Sequence, residues 1–108
     1  MTPTHPRVPD DATLAMSVEI LRLLADRTRL AILAMISEGE MSVSAIAEAL
    51  ERPAPSVSQH LAKLRAGHLV ATRREGTTIF YSQPDEHIAA LVTNVLDHID
   101  HMLVDERA

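Results

Sequence analysis

Hydrophobic spacing changes twice along this chain, and those two changes limit what it can fold into. From Leu14 to Leu64 apolar residues recur at threes and fours, the period of a helix with one buried face. From Leu69 to Ser82 the residues turn β-prone, and from Ile88 to Met102 the helical spacing returns. One Phe, one Tyr and no Trp stand among hydrophobics that make up 46% of the chain, so the core has to be aliphatic. A mainly α fold with one small β excursion follows, not an all-β sandwich. At 108 residues the chain is long enough for one domain with a modest core.

Local signals place the elements. Residues 1–9 hold three of the six prolines and no periodicity, which reads as a mobile arm. Asp10 is expected to cap a helix over 11–25, whose apolar positions Leu14, Val18, Leu21 and Leu24 repeat at threes and fours. Asp26 caps a second over 27–38, carrying Leu30, Ile32, Leu33 and Ile36 and stopped by Gly39. Ser42 caps a third over 43–51, with Ile46 and Leu50 inward and Glu48 outward. Arg52-Pro53-Ala54-Pro55 reads as a tight connection, because each proline biases its predecessor away from helix. A fourth helix then runs over 56–66 with Val57, Leu61 and Leu64 on one face. Leu69–Arg74 and Thr77–Ser82 form a hairpin around Glu75-Gly76, with arginines at its tip. Pro84 suits the first position of a last helix reaching Leu103. One domain thus spans 10–104, followed by a tail of 105–108.

The third and fourth helices form a helix-turn-helix pattern, and the hairpin after them is a wing. Ser56, Ser58, Gln59, His60 and Lys63 make a polar, acid-free set suited to base edges in a major groove, where Gln pairs with adenine and Ser with several partners. Arg73 and Arg74 are placed to reach phosphate or the minor groove. The net charge of −5 argues against a polyanion, but its distribution argues for one. Residues 52–74 carry five basic side chains and no acid, whereas 75–108 carry seven acids and one Arg.

The last helix carries a second chemistry. His87 and His98 are eleven residues apart, roughly 20° beyond three full turns, and His101 follows His98 by three. These imidazoles lie near one face, and Asp85 stands with His87 near the start of the helix. The two groups lie roughly 16 Å apart, too far for one ion. An antiparallel second copy closes the gap, through one dyad near Val92 and Thr93 that brings Asp85 and His87 beside the other chain's His98 and His101. A carboxylate with two or three imidazoles and no thiolate suits zinc, and also cobalt or nickel. The apolar stripe of Ile88, Leu91, Val92, Val95, Ile99 and Met102 is a seam for such a homodimer.

The chain has no cysteine, which removes disulfides, cysteine nucleophiles and thiolate metal sites together. No apolar stretch approaches the length of a membrane span and no secretory leader pattern opens the sequence, so a cytoplasmic protein without a membrane partner is expected.

Three stretches together resemble the ArsR/SmtB family of bacterial metal-responsive repressors. They are Leu24-Ala25-Asp26-Arg27-Thr28-Arg29-Leu30-Ala31-Ile32-Leu33, Ser56-Val57-Ser58-Gln59-His60-Leu61-Ala62-Lys63-Leu64-Arg65, and Asp85-x-His87 with His98-x-x-His101. The resemblance covers about residues 14–103. It implies a homodimeric winged helix-turn-helix repressor that binds operator DNA without metal and leaves it when zinc, or cobalt or nickel, is bound by Asp85, His87, His98 and His101. The lack of cysteines sets the chain apart from the arsenic-, cadmium- and lead-sensing branches. His68 stands where a zinc-sensing branch has a histidine whose backbone carbonyl accepts a hydrogen bond from a metal-bound imidazole, which by resemblance makes it the coupling partner of His98. Nickel- and cobalt-responsive relatives recruit terminal ligands, and His5 is the corresponding candidate here. Two other readings fit some of the same residues. One is a winged-helix regulator that answers a non-metal signal; the other is a small metallohydrolase using Asp and His ligands. The expectation is a regulator, not an enzyme.

Overall fold

Side-chain caps decide where the first helices begin. The computed structural model describes residues 7–107. In it, Asp10 accepts from the Thr13 N–H at 2.7 Å and opens α1 (Asp11–Leu24). Asp26 accepts from the Arg29 N–H at 2.9 Å and opens α2 (Arg27–Ile36). Ser42 accepts from the Ala45 N–H at 3.2 Å and opens α3 (Val43–Leu50). Each satisfies an N–H that the helix itself cannot. After these come α4 (Ala54–Ala66), β2 (Ala71–Glu75), β3 (Thr78–Ser82) and α5 (Glu86–Arg107), with a two-residue strand β1 (Met41–Ser42) before α3.

The fold is a winged helix-turn-helix, mainly α with a small sheet, as the spacing predicted. Ile32, Leu33 and Ile36 of α2, Ile46 of α3, and Val57, Leu61 and Leu64 of α4 form the buried centre, joined by Leu69 and Val70 from the connection after α4. Val92 of α5 closes the core from the opposite side. No described helix is long and apolar enough to cross a membrane.

Several boundaries differ from the sequence reading, each for a local reason. Helix α4 starts two residues early, at Ala54, because Pro53 serves as its N-cap and Pro55 falls in the first turn, where no N–H is needed. Helix α2 ends at Ile36 rather than running to a Gly39 stop, and Gly39 does not take the left-handed conformation. Strand β2 begins at Ala71, since Leu69 and Val70 are drawn into the core. Glu75 pairs with Thr78, so the turn is Gly76-Thr77 and the arginines lie back along β2, not at the tip. Gly76 has φ +63°, the first-residue conformation of a II′ turn that glycine adopts without strain. The wing is a three-stranded antiparallel sheet of order β1-β3-β2, with Met41 opposite Tyr81 and Ser42 opposite Phe80. A two-residue strand has no readable alternation, so β1 was invisible in the sequence.

Pro84 stands outside α5 instead of at its first position. Asp85 accepts from the His87 N–H at 2.8 Å and so caps the helix. At its other end α5 continues to Arg107, through most of the segment expected as a tail.

Candidate DNA-binding face and metal-ligand positions

Burial separates the two sides of α4. Val57, Leu61 and Leu64 are fully enclosed, while Ser58, Gln59 and Lys63 are exposed and Ser56 is half-buried. A helix whose apolar side is locked into α2 and α3 has to present its other side outward, and that side is the polar set expected to read bases.

His60 is placed differently from its neighbours. It is half-buried and its ring turns toward the start of α2. Nδ1 lies 3.4 Å from Arg29 Nη1 and 3.7 Å from Asp26 Oδ2. The Arg29 N–H holds the Asp26 carboxyl below its ordinary pKa, and the Arg29 guanidinium adds to that effect.

The wing arginines also part ways. Arg73 reaches across the sheet over the Phe80 ring, 4.8 Å from its centroid, to Glu40 just before β1. Its Nε donates to Glu40 at 3.1 Å and its Nη1 to Glu75 at 2.9 Å. These bonds keep the Glu40 carboxyl below the usual range and raise the arginine further above its own. Arg74, one residue on, is exposed on β2. Nothing local in the sequence marks Glu40 or Asp26 as a partner of these side chains. Both partners come from turns whose approach to the wing or to α4 depends on tertiary packing.

The terminal helix serves its own core and the solvent at once. Val92 is 1% exposed, whereas Leu91, Val95, Ile99 and Met102 are between 38% and 47% exposed. The expected stripe is therefore split: Ile88 and Val92 pack within the chain, and the rest are left uncovered. Val92, expected on the dimer seam, is enclosed in the chain's own core, while Leu91 and Val95 beside it are open to solvent. On α1, Leu14, Val18 and Leu21 are uncovered as well, and only Leu24 is buried. An apolar hollow of about 180 Å³ lies between the two surfaces, lined by Leu21, Leu24, Ala25, Leu30, Leu91 and Val95 with Val92 at its floor.

Asp85 and His87 converge at the start of α5, with Nδ1 of His87 3.3 Å from Oδ1 of Asp85. His87 is 93% exposed at its side chain, and His98 and His101 are exposed too. From Val92, His98 lies about 120° around the helix, so the imidazoles face away from the core. Within one chain, no three such side chains gather among the described residues. Asp85 with His87, and His98 with His101 further along, offer oxygen and nitrogen donors of the kind that a borderline cation takes. His5 lies outside the described residues.

His68 closes α4. Its N–H donates to Arg65 O at 3.0 Å and that of Leu69 to Leu64 O at 2.9 Å, the bonding of a Schellman end. His68 takes φ +61°, a left-handed conformation usually given to glycine, while its side chain is exposed.

Comparisons with known proteins agree with this geometry. A family described as a helix-turn-helix domain matches residues 24–73. The chain is 50% identical over 94 residues to the HTH-type transcriptional regulator KmtR of Mycobacterium tuberculosis, spanning 87% of this chain and 72% of that protein. It is 36% identical over 96 residues to the HTH-type transcriptional repressor SmtB of the same species, spanning 89% and 71%. A solution structure of a homodimeric winged helix-turn-helix DNA-binding domain from Mycobacterium bovis, a possible ArsR-family transcriptional regulator, matches with a TM-score of 0.79 and 35% identity, covering 88% of this chain and 91% of that one.

Proposed function

Because the chain belongs to the ArsR/SmtB family of helix-turn-helix transcriptional regulators, we propose that it is a homodimeric repressor whose hold on operator DNA is relieved by a metal ion bound at its terminal helices. It is a DNA-binding regulator, not an enzyme. The observation that carries the metal reading is the pair of exposed half-sites on α5, Asp85 with His87 and His98 with His101. Their oxygen and nitrogen donors match zinc first and cobalt or nickel next.

Ser58, Gln59 and Lys63, with Ser56 beside them, meet the major groove, and Arg74 meets the backbone from the wing. Two copies are joined through the uncovered faces of α1 and α5, where leaving so much aliphatic surface in water is unfavourable. In that pairing the half-sites of opposite copies face each other. A bound ion would supply a cross-link between the terminal helices that neither copy makes alone. Asp85 and His87 of one copy, with the residues matching His98 and His101 in the other, would hold it. Release requires that the cross-linked pairing fit a dimer shape in which the two α4 helices no longer match successive grooves; equal affinity in both shapes would move nothing. A coupling of about 1–3 kcal/mol is the ordinary size. By the same resemblance, the His68 carbonyl carries the change from α5 to the end of α4.

The test is a cobalt(II) titration of the metal-free protein, read by visible absorption with and without labelled operator. Strong tetrahedral bands saturating at one ion per chain, with DNA released, are expected. His98→Ala should keep operator binding and lose release. Weak six-coordinate bands would move the assignment to nickel or cobalt with His5 added. Release that persists in the variant would show that the ion acts elsewhere.

A further inference from the structure

The contacts of Arg29 join three helices. Its Nε donates to Leu23 O at 2.7 Å and its Nη2 to Arg22 O at 3.5 Å, both in the last turn of α1. Those carbonyls have no partner within their own helix, and a cation at a helix C-terminus is also favoured by the dipole. Its own backbone N–H is taken by Asp26 at the start of α2. The remaining arm, Nη1, points at His60 Nδ1 on α4. A guanidinium has only donors, so a hydrogen bond between the two assigns His60 Nδ1 as the acceptor and the ring proton to Nε2. The same turn of α1 touches α4 a second time. A Cβ built on Gly67, at the end of α4, would fall 2.3 Å from Leu23 Cδ1. The last turn of α1 is therefore fixed against both the middle and the end of α4.

Helix α1 carries Leu14, Val18 and Leu21 on its uncovered face, so its angle is set partly by whatever covers that face. A rigid bridge from its last turn to α4 passes that angle on. We propose that Arg29 and His60 are positioning residues that set the angle of α4 relative to α1, and that His60 acts on DNA through Arg29 instead of by touching a base. This rests on α4 being the recognition helix. The arrangement favours a bridge over a reader because His60 is half-buried with Nδ1 committed, while Ser58, Gln59 and Lys63 are open to solvent.

The test combines a DNA-free and a DNA-bound measurement on the full chain. Two-bond 1H–15N spectra should show His60 as the Nε2–H tautomer. Arg29→Lys, which keeps the charge but lacks the fork, should disturb that signature; an unchanged ring would overturn the pairing. Duplexes selected by the wild-type chain from a random-sequence pool then serve as probes. His60→Ala should weaken binding about ten-fold on all of them, with the ranking of single-base variants and the salt slope unchanged. His60→Asn, whose Oδ1 replaces Nδ1 as acceptor, should restore binding to within about three-fold. Loss of discrimination at one base pair, not restored by Asn, would make His60 a base reader and overturn the proposal, as would no effect of His60→Ala. If the wild-type chain selects no duplex, the recognition reading of α4 fails and the role of His60 on DNA falls with it. The spectra would still decide whether the pair exists.

Discussion

Replacing His68 with glycine should make the protein more stable and leave its metal response intact. The residue sits at φ +61° beyond the last turn of α4. A left-handed conformation costs an L-residue about 1–2 kcal/mol. Glycine removes that strain but gains freedom in the unfolded chain, which offsets roughly 0.5–1 kcal/mol. The difference ranges from about 0 to 1.5 kcal/mol and centres on a net stabilisation of about 0.75 kcal/mol, or roughly 3–6 °C in Tm for a domain of this size. The bonds that close the helix use backbone atoms only, so they survive the change. So does the carbonyl proposed to couple the metal site to α4. Thermal unfolding at fixed protein concentration gives the first quantity, and fluorescence anisotropy on labelled operator with and without zinc gives the second. A lowered Tm would refute the strain argument. A variant that folds and binds operator but no longer releases it with zinc would place the coupling in the imidazole and refute the carbonyl route.

Three further outcomes follow from the wing and the seam. Glu40→Gln should loosen Arg73 from the turn before β1, leaving Glu75 as its acidic partner, and so raise operator affinity at low salt and steepen the log–log salt dependence by up to about one. Since hydrogen bonding from Arg73 depresses the Glu40 pKa below its ordinary 4.5, the docking it provides is present above that pH and lost as pH falls through the lower folded value. Acid titration of wing amides by NMR should show this loss, and Arg73→Ala should abolish it. Val95→Lys places a charge on the uncovered face of α5 in place of an apolar side chain worth about 1.5–3 kcal/mol when buried. Sedimentation equilibrium should show the dimer dissociation constant raised by at least about ten-fold; an unchanged constant would move the seam off α5.

Much of the fold was legible because its determinants are local. The caps Asp10, Asp26 and Ser42 each act within three residues of sequence, and the inward positions Val57, Leu61 and Leu64 follow from helical spacing alone. What escaped was set across the fold. β1 exists only because β3 offers it an edge, and Leu69 and Val70 are β-prone residues claimed by the core. At the candidate site, the spacing of His87, His98 and His101 was readable, whereas the commitments of His60 to Arg29 and of Arg73 to Glu40 were not. Both pairs join residues more than thirty positions apart. Charge in the sequence marked Arg73 as available for DNA, but tertiary packing had already given it a partner.

None of the four proposed ligands on the α5 segment belongs to the hydrophobic core. Their side chains can be exchanged without repacking Ile88 or Val92, so inherited changes there meet little resistance from folding. The α4 residues proposed to face bases have a similar freedom, since the helix is anchored by its opposite side. A lineage carrying this architecture can therefore alter which signal it hears and which sequence it reads by separate small steps. The aliphatic centre between them imposes the shared constraint, and it is where drift should be slowest.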